Sequence, residues 1–156
     1  MRRKDREITD RQKMEEVILS CDCCRLGLVD GNSAYIVPLN FGYSITGDRA
    51  SFYFHCAKEG KKLDLIKSNP NVGFELDTNH AVHEGEKACD YAFRFRSIIG
   101  KGVAMLVETM EEKKEALRLV MSHYSDRDNW TFSDTEANSV TILRVDVMEI
   151  ACKEHL

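Results

Sequence analysis

Three lysines and a glycine crowd into Ala57-Lys-Glu-Gly-Lys-Lys62, directly behind the aromatic run Phe52-Tyr-Phe-His55. The aromatic run has strand character, whereas Leu63, Ile66 and Lys67 after it are at helical spacing. A strand that runs into a helix exposes the helix's first amides together with a partial positive charge. With Lys58, Lys61 and Lys62 beside those amides, the junction from Ala57 through Gly60 is a candidate phosphate cradle, the alternative being an ordinary lysine-rich surface helix. His55, at the strand's end, is either a ligand-facing group or a satisfied structural histidine. Cysteine and histidine offer a second chemistry, because Cys21-Asp-Cys-Cys24 and His80-Ala-Val-His83 both have zinc-like spacing. Against it, small thiols pack well where a helix meets a strand, and nothing in the sequence joins the two pairs. The strand-and-helix frame of a redox Cys-x-x-Cys is also missing around Cys21 and Cys24, so no metal or thiol centre is expected.

These groups depend on the elements that carry them. Asp10 caps an expected helix reaching about Ser20, with Met14, Val17 and Ile18 on one face. Residues 25–29 and 34–43 form an expected hairpin around Asp30-Gly-Asn-Ser33. Pro38 cannot donate to a ladder, so it marks an edge, a bulge or a break where backbone groups are left for other partners. A third strand spans 50–55, and Asn69-Pro70 ends the helix behind it. Residues 72–77 alternate as a strand, 78–87 read as a polar loop, and 90–107 form a long strand bent at Gly100 and Gly102. Thr109 and Glu112 have capping-box spacing for a helix over 111–123, and a strand over 140–150 follows. Antiparallel strands with few helices favour a barrel over a doubly wound sheet.

Four stretches acquire meaning when taken together: Val37-Pro-Leu-Asn-Phe-Gly-Tyr43, Phe54-His-Cys-Ala-Lys-Glu-Gly-Lys-Lys62, Phe95-Arg-Ser-Ile-Ile-Gly-Lys-Gly102 and Glu111-Glu-Lys-Lys-Glu-Ala-Leu117. In this order they resemble the flavin-binding split barrels related to pyridoxamine 5′-phosphate oxidase, and more narrowly the nitroimidazole-resistance (NimA-like) proteins, over almost the whole chain. Residues 1–8 and 151–153 fit the same pattern. The resemblance implies a mainly β fold, a six-stranded antiparallel split β-barrel with peripheral helices, forming a homodimer with FMN in clefts at the interface. It implies that Val37, Pro38, Leu39 and Asn40 line the isoalloxazine. His55, Ala57, Lys58, Gly60, Lys61 and Lys62 would meet the ribityl chain and phosphate, for which lysines and amides are the natural partners. Ser97, Ile98, Ile99 and Gly100 would cover the other side, where Gly100 and Gly102 permit close approach. Trp130 and Lys153 would reach the dimer cleft. Val37, Leu39 and Ile99 could equally be core, and Gly102 could serve only the bend.

The implied activity is electron transfer from reduced flavin to a small aromatic or nitro-substituted acceptor, with NAD(P)H as a possible donor. His55 is then the residue placed nearest the chemistry, although hydride transfer belongs to the flavin. A non-catalytic flavin or haem binding module is the alternative. Gly100-Lys-Gly102 lacks the third glycine and the helix of a dinucleotide fingerprint, so a nicotinamide would visit only transiently.

Composition narrows the remaining classes. At 156 residues the chain is expected to be one domain, 1–156, with 43% hydrophobic and 31% charged residues. No apolar run has the length of a membrane span, and Val17-Ile-Leu19 is too short for a signal-peptide core. Six cysteines without such a signal fit a reducing compartment, hence the cytoplasm. A net charge of −4 argues against a nucleic-acid partner, and Arg2-Arg-Lys4 is offset at once by Asp5 and Glu7.

Overall fold

The computed structural model describes residues 4–127 and 129–155; Arg2 and Arg3 of the basic N-terminus lie outside them. Eight strands and four helices follow in the order β1 (Glu7–Ile8), α1 (Arg11–Leu19), β2 (Cys24–Asp30), β3 (Ser33–Leu39), β4 (Gly42–Thr46), β5 (Arg49–Cys56), α2 (Lys61–Ser68), β6 (Asn71–His83), β7 (Ala92–Leu106), α3 (Met110–Tyr124), α4 (Asp134–Ser139) and β8 (Thr141–His155) among the described residues. All pair antiparallel in one sheet ordered β3-β2-β6-β7-β8-β5-β4, with β1 beside β8. The architecture is the mainly β split barrel expected, with eight strands where six were expected. Its end strands β3 and β4 are joined only through Asn40 and Phe41. Since consecutive Cα atoms are about 3.8 Å apart, the two ends must meet, and the sheet is forced to curl.

Alternation decides which side chains the curl encloses. Of the cross-strand partners Leu39 and Cys24, and of Leu76, Ile98 and Cys152 further along the sheet, four of the five are buried and Leu39 packs on the same core. The next inward row carries Val37, Leu26, Phe74, Gly100 and Ile150. Phe41, Phe52 and Phe54 fill the middle, with ring centroids 5.6 Å apart for Phe41–Phe52 and 5.0 Å for Phe52–Phe74. Burying each such ring fully stabilises by about 1.5–3 kcal/mol. Val17 and Ile18 of α1 and Leu63 and Ile66 of α2 belong to the same buried core. A smaller cluster of Val107, Ala116 and Ile142 seats α3 outside β5 and β8.

Several expectations need correction. The strand expected over 34–43 breaks at Asn40–Phe41, because the chain there crosses from one end of the sheet to the other. Pro38 sits opposite Arg25 on end strand β3, where a missing donor is tolerated. Residues 78–83, expected as loop, continue β6 because β7 offers them partners through a register shift between Thr78 and Ala81. The capping box at Thr109 is only half made: Thr109 Oγ1 accepts from Glu112 N at 3.3 Å, but the Glu112 carboxylate turns to Arg144 at 2.6 Å. A full box does form at Ser133 and Glu136 and starts α4, a helix the hydrophobic pattern does not announce.

The thiols divide by burial. Cys21, Cys24, Cys56 and Cys152 are buried, Cys23 is half-buried and Cys89 is exposed. Burial, followed by nearby carboxylates, pushes Cys21 up to about 12, and burial pushes Cys152 up to about 11. A thiol whose folded value exceeds its unfolded value of about 8.5 stabilises the fold fully below that value, and the contribution is lost as pH rises through the folded one. Stability should therefore fall from about pH 8.5 upward in urea melts, and substituting serine at Cys21 should flatten that fall. A disulfide-exchange reagent at pH 8 should titrate Cys89 quickly and Cys23 more slowly, with the four buried thiols reacting only in denaturant. Rapid reaction of all six would contradict the packing.

Candidate functional site

The helix after β5 begins as a phosphate cradle would. Gly60 precedes α2 with φ of 141°, a conformation that side-chain-bearing residues rarely adopt, and no side chain caps the helix. Its carbonyl accepts from Leu63 N at 2.9 Å and Asp64 N at 3.4 Å, leaving the amides of Lys61 and Lys62 with no acceptor inside the helix. The two lysines are not equivalent. Lys61 Nζ lies 2.6 Å from Asp30 and 4.9 Å from the centre of the Tyr35 ring, and the Asp30 bond raises its pKa. Lys62 is half-buried, and no carboxylate pairs with it among the described residues.

Lys61 thereby ties the α2 N-terminus to the β2–β3 hairpin. Among the described residues β3 has a strand neighbour on one edge only, and the other edge of Val37–Leu39 is not engaged in a ladder. Val37 and Leu39 point inward and pack on the core, while Pro38 and Asn40 are exposed. The junction residues Ala57 and Lys58 are also exposed, as is His55, which alternates away from the buried Phe54 and carries no ring hydrogen bond among the described residues. These residues, from β3 and from the junction, form the first group of candidate residues.

The second group lies elsewhere on the same sheet. Pro38, Arg25, Glu75 and Ile99 are successive cross-strand partners, so Ile99 is three strands from Pro38, about 14 Å at the usual strand spacing. Ile99 is 56% exposed, whereas Ile98 is fully buried in the core. Ser97 pairs across to Lys153, whose ammonium lies 5.0 Å from the centre of the Phe95 ring. Gly100 and Gly102 do not leave the open approach expected of them. A methyl at Gly100 would fall on the Phe74 ring and 2.5 Å from the Glu149 carbonyl oxygen, and one at Gly102 would lie 2.5 Å from that of Asp146. Gly100 thus makes room for a core aromatic, and Gly102 sits at the β7 register shift. Trp130 lies in the segment between α3 and α4, with the Arg127 guanidinium 4.4 Å from its ring centre.

Among the described residues no group of three or more His, Cys, Asp or Glu side chains is placed to hold a metal ion: Cys21 donates to the Val17 carbonyl at 3.1 Å, and His80 lies 3.0 Å from Asp77 and stacks on Phe93. Asp30 and Tyr35, which hold Lys61, have no signature in the sequence beyond a hairpin turn and an aromatic strand residue.

The profile of the family described as pyridoxamine 5′-phosphate oxidase matches residues 10–154. Among solved structures, a candidate 5-nitroimidazole antibiotic resistance protein from Bacteroides thetaiotaomicron is 32% identical, with 95% of this chain and 86% of that chain covered at a TM-score of 0.82. An FAD and heme binding protein from Mycobacterium smegmatis is 14% identical, covering 96% of this chain and 73% of that one at 0.80. A flavocytochrome from Azotobacter vinelandii is 16% identical, covering 100% and 72% at 0.80. The last two share the fold. No curated protein matches the chain. No helix among the described residues is long and apolar enough to cross a membrane. With the split barrel, its inward rows and a family match over nearly its full length, the chain belongs to the pyridoxamine 5′-phosphate oxidase family of flavin-binding split barrels.

Proposed function

We propose that this protein binds FMN and uses it to reduce a small aromatic or nitro-substituted acceptor. The observation that carries this reading is the junction itself: an uncapped helix N-terminus where Lys62 has no carboxylate partner among the described residues, tied through Lys61 to the hairpin whose free edge bears Val37–Leu39. The donor set fits the group, since amides and an ammonium suit a dianionic phosphate while strand N–H and C=O groups suit the polar edge of a flat ring. When bound, FMN supplies two-electron transfer between donor and acceptor. The chain's own part is to bind and orient. Lys62 and the Lys61 and Lys62 amides hold the phosphate, the β3 edge sets the ring's polar side, and exposed His55 offers a ring nitrogen to the flavin or the acceptor.

The second group of residues then belongs to a partner's cleft. Ser97, Ile99 and Lys153 are too far along the sheet to close on Pro38 in one protomer, so a homodimer brings them in from the second copy. Its contact face is the outer side of β2, β3, β6 and β7, where Ile36 is 62% exposed and the facing pair Gly27 and Gly73 leaves a flat surface.

The test is spectroscopic. Protein mixed with excess FMN and desalted should keep oxidised-flavin bands and elute as a dimer. Anaerobic NADH or NADPH should bleach them, and a 5-nitroimidazole should restore them while its own nitro absorbance is lost. A Soret band instead of flavin bands would identify haem. Flavin that bleaches but does not recover on adding the nitroimidazole would overturn the acceptor assignment.

A further inference from the structure

One end of the barrel is not filled by its own side chains. Tyr43 and Ile45 of β4 stand opposite Phe52 and Ala50 of β5, and all four lie on the inward side of this hairpin, the side that buries Phe52. Ile45 is nevertheless 44% exposed, and Ala50 is only half-buried. Val147 and Ile150 of β8 and Met14 of α1 pack on the core below them. Together these residues line a cavity of about 310 Å³.

The lining determines what would fit. Arg11 and Asp48 also border the cavity, but both are largely exposed and bond each other at 3.0 Å, so neither charge calls for a ligand of opposite sign. An exposed ion pair contributes little and does not bar entry. One polar group is left unsatisfied. The half-buried Tyr43 ring is held 5.1 Å from that of Phe52, and its hydroxyl makes no hydrogen bond among the described residues. Burial, followed by the Glu15 carboxylate, pushes this hydroxyl up to about 12, so at neutral pH it has a proton to donate. Volume sets the size, because an apolar cavity of about 150 Å³ holds one benzene ring and roughly twice that space suits two fused rings. We propose that this open end of the barrel is a ligand site for a neutral, apolar molecule of two fused rings, whose single acceptor atom takes a hydrogen bond from Tyr43 Oη. The site does not rest on the flavin reading above: Ala50 lies near one end of β5, and the junction that begins at Ala57 follows its other end.

The test titrates the full-length protein, with and without saturating FMN, with quinoline, naphthalene and quinaldate, followed by NMR shifts of backbone amides and methyl groups. Quinoline is neutral at this pH and carries one ring nitrogen. It should bind with a dissociation constant of about 1 mM or tighter, the range open to about ten non-hydrogen atoms, and should shift Tyr43, Ile45, Ala50 and Val147 with or without FMN. Quinaldate, which adds a carboxylate, should bind less well, because the anion loses water and finds Arg11 already paired. Tyr43→Phe removes one oxygen and should weaken quinoline about five- to tenfold, the scale of one hydrogen bond, while naphthalene, of the same shape with no acceptor, binds as before. Ala50→Leu fills the cavity from β5 and Ile45→Phe from β4, so the outcome does not depend on one variant folding. Each should weaken both quinoline and naphthalene at least about tenfold. The inference is overturned if no saturable shift reaches the cavity residues, if both fillers bind quinoline as the parent does, or if Tyr43→Phe affects quinoline and naphthalene equally. Displacement of quinoline by FMN would also overturn it, by making the cavity part of the flavin site.

Discussion

Replacing Gly100 with alanine is expected to destabilise the protein by about 3 kcal/mol, the upper range for forcing one extra carbon into a filled core. The new methyl meets two things at once. On one side is the ring of Phe74, packed 5.0 Å from Phe52 in the middle of the barrel, and on the other is the Glu149 carbonyl of β8. Neither is the free end of a flexible side chain, so the strain has no inexpensive exit. The site also lies one residue before the β7–β8 register shift between Lys101 and Gly102, where the ladder is already interrupted. Shortening the ring should relieve part of the clash: Phe74→Leu combined with Gly100→Ala should cost less than the sum of the two single changes by at least about 1 kcal/mol, a coupling expected only of residues in contact. Urea denaturation of the four proteins measures it. An alanine variant as stable as the parent, or strictly additive energies, would remove Phe74 as the reason for the glycine.

That assignment illustrates what the sequence can and cannot convey. Gly100-Lys-Gly102 announces a bend, and the bend is present, but the two glycines carry no sign of what lies against them. Phe74 comes from a strand more than twenty residues earlier, and only the β6–β7 register places it opposite Gly100. Strands and capped helices were legible because alternation, Asp10 and Pro70 act within a few residues. The extension of β6 through residues 78–83 was not, because a polar run becomes strand when a neighbour pairs with it, a tertiary fact. The junction Ala57–Lys62 was legible as a cationic helix start. The different fates of its lysines were not, since Asp30 reaches Lys61 from the far side of a hairpin.

Those different fates lead to the largest expected effect on ligand binding. Reversing the charge at Lys62 should weaken FMN about a hundredfold, while the same reversal at Lys61 should cost less. Among the described residues Lys62 has no carboxylate partner to give up, and it sits in the first turn of an uncapped helix, so in the proposed site its ammonium and the adjacent amides would serve the same anion. A charge-assisted bond to a phosphate contributes about 1.5–3 kcal/mol, which is roughly ten- to a hundredfold in affinity, and a glutamate adds repulsion to its loss. Lys61 already shares its charge with Asp30 and must leave that bond to serve a phosphate fully. The discriminating ligand is riboflavin, which keeps the ring and ribityl chain but has no phosphate. Lys62→Glu should bind riboflavin as the parent does, and its FMN affinity should fall toward the riboflavin value. If Lys62→Glu loses riboflavin as severely as FMN, the lysine supports the fold and not the phosphate. If Lys61→Glu proves the more damaging change for FMN alone, the cradle is centred on the hairpin side of the junction, and Asp30 then becomes part of the binding site instead of a competitor for it.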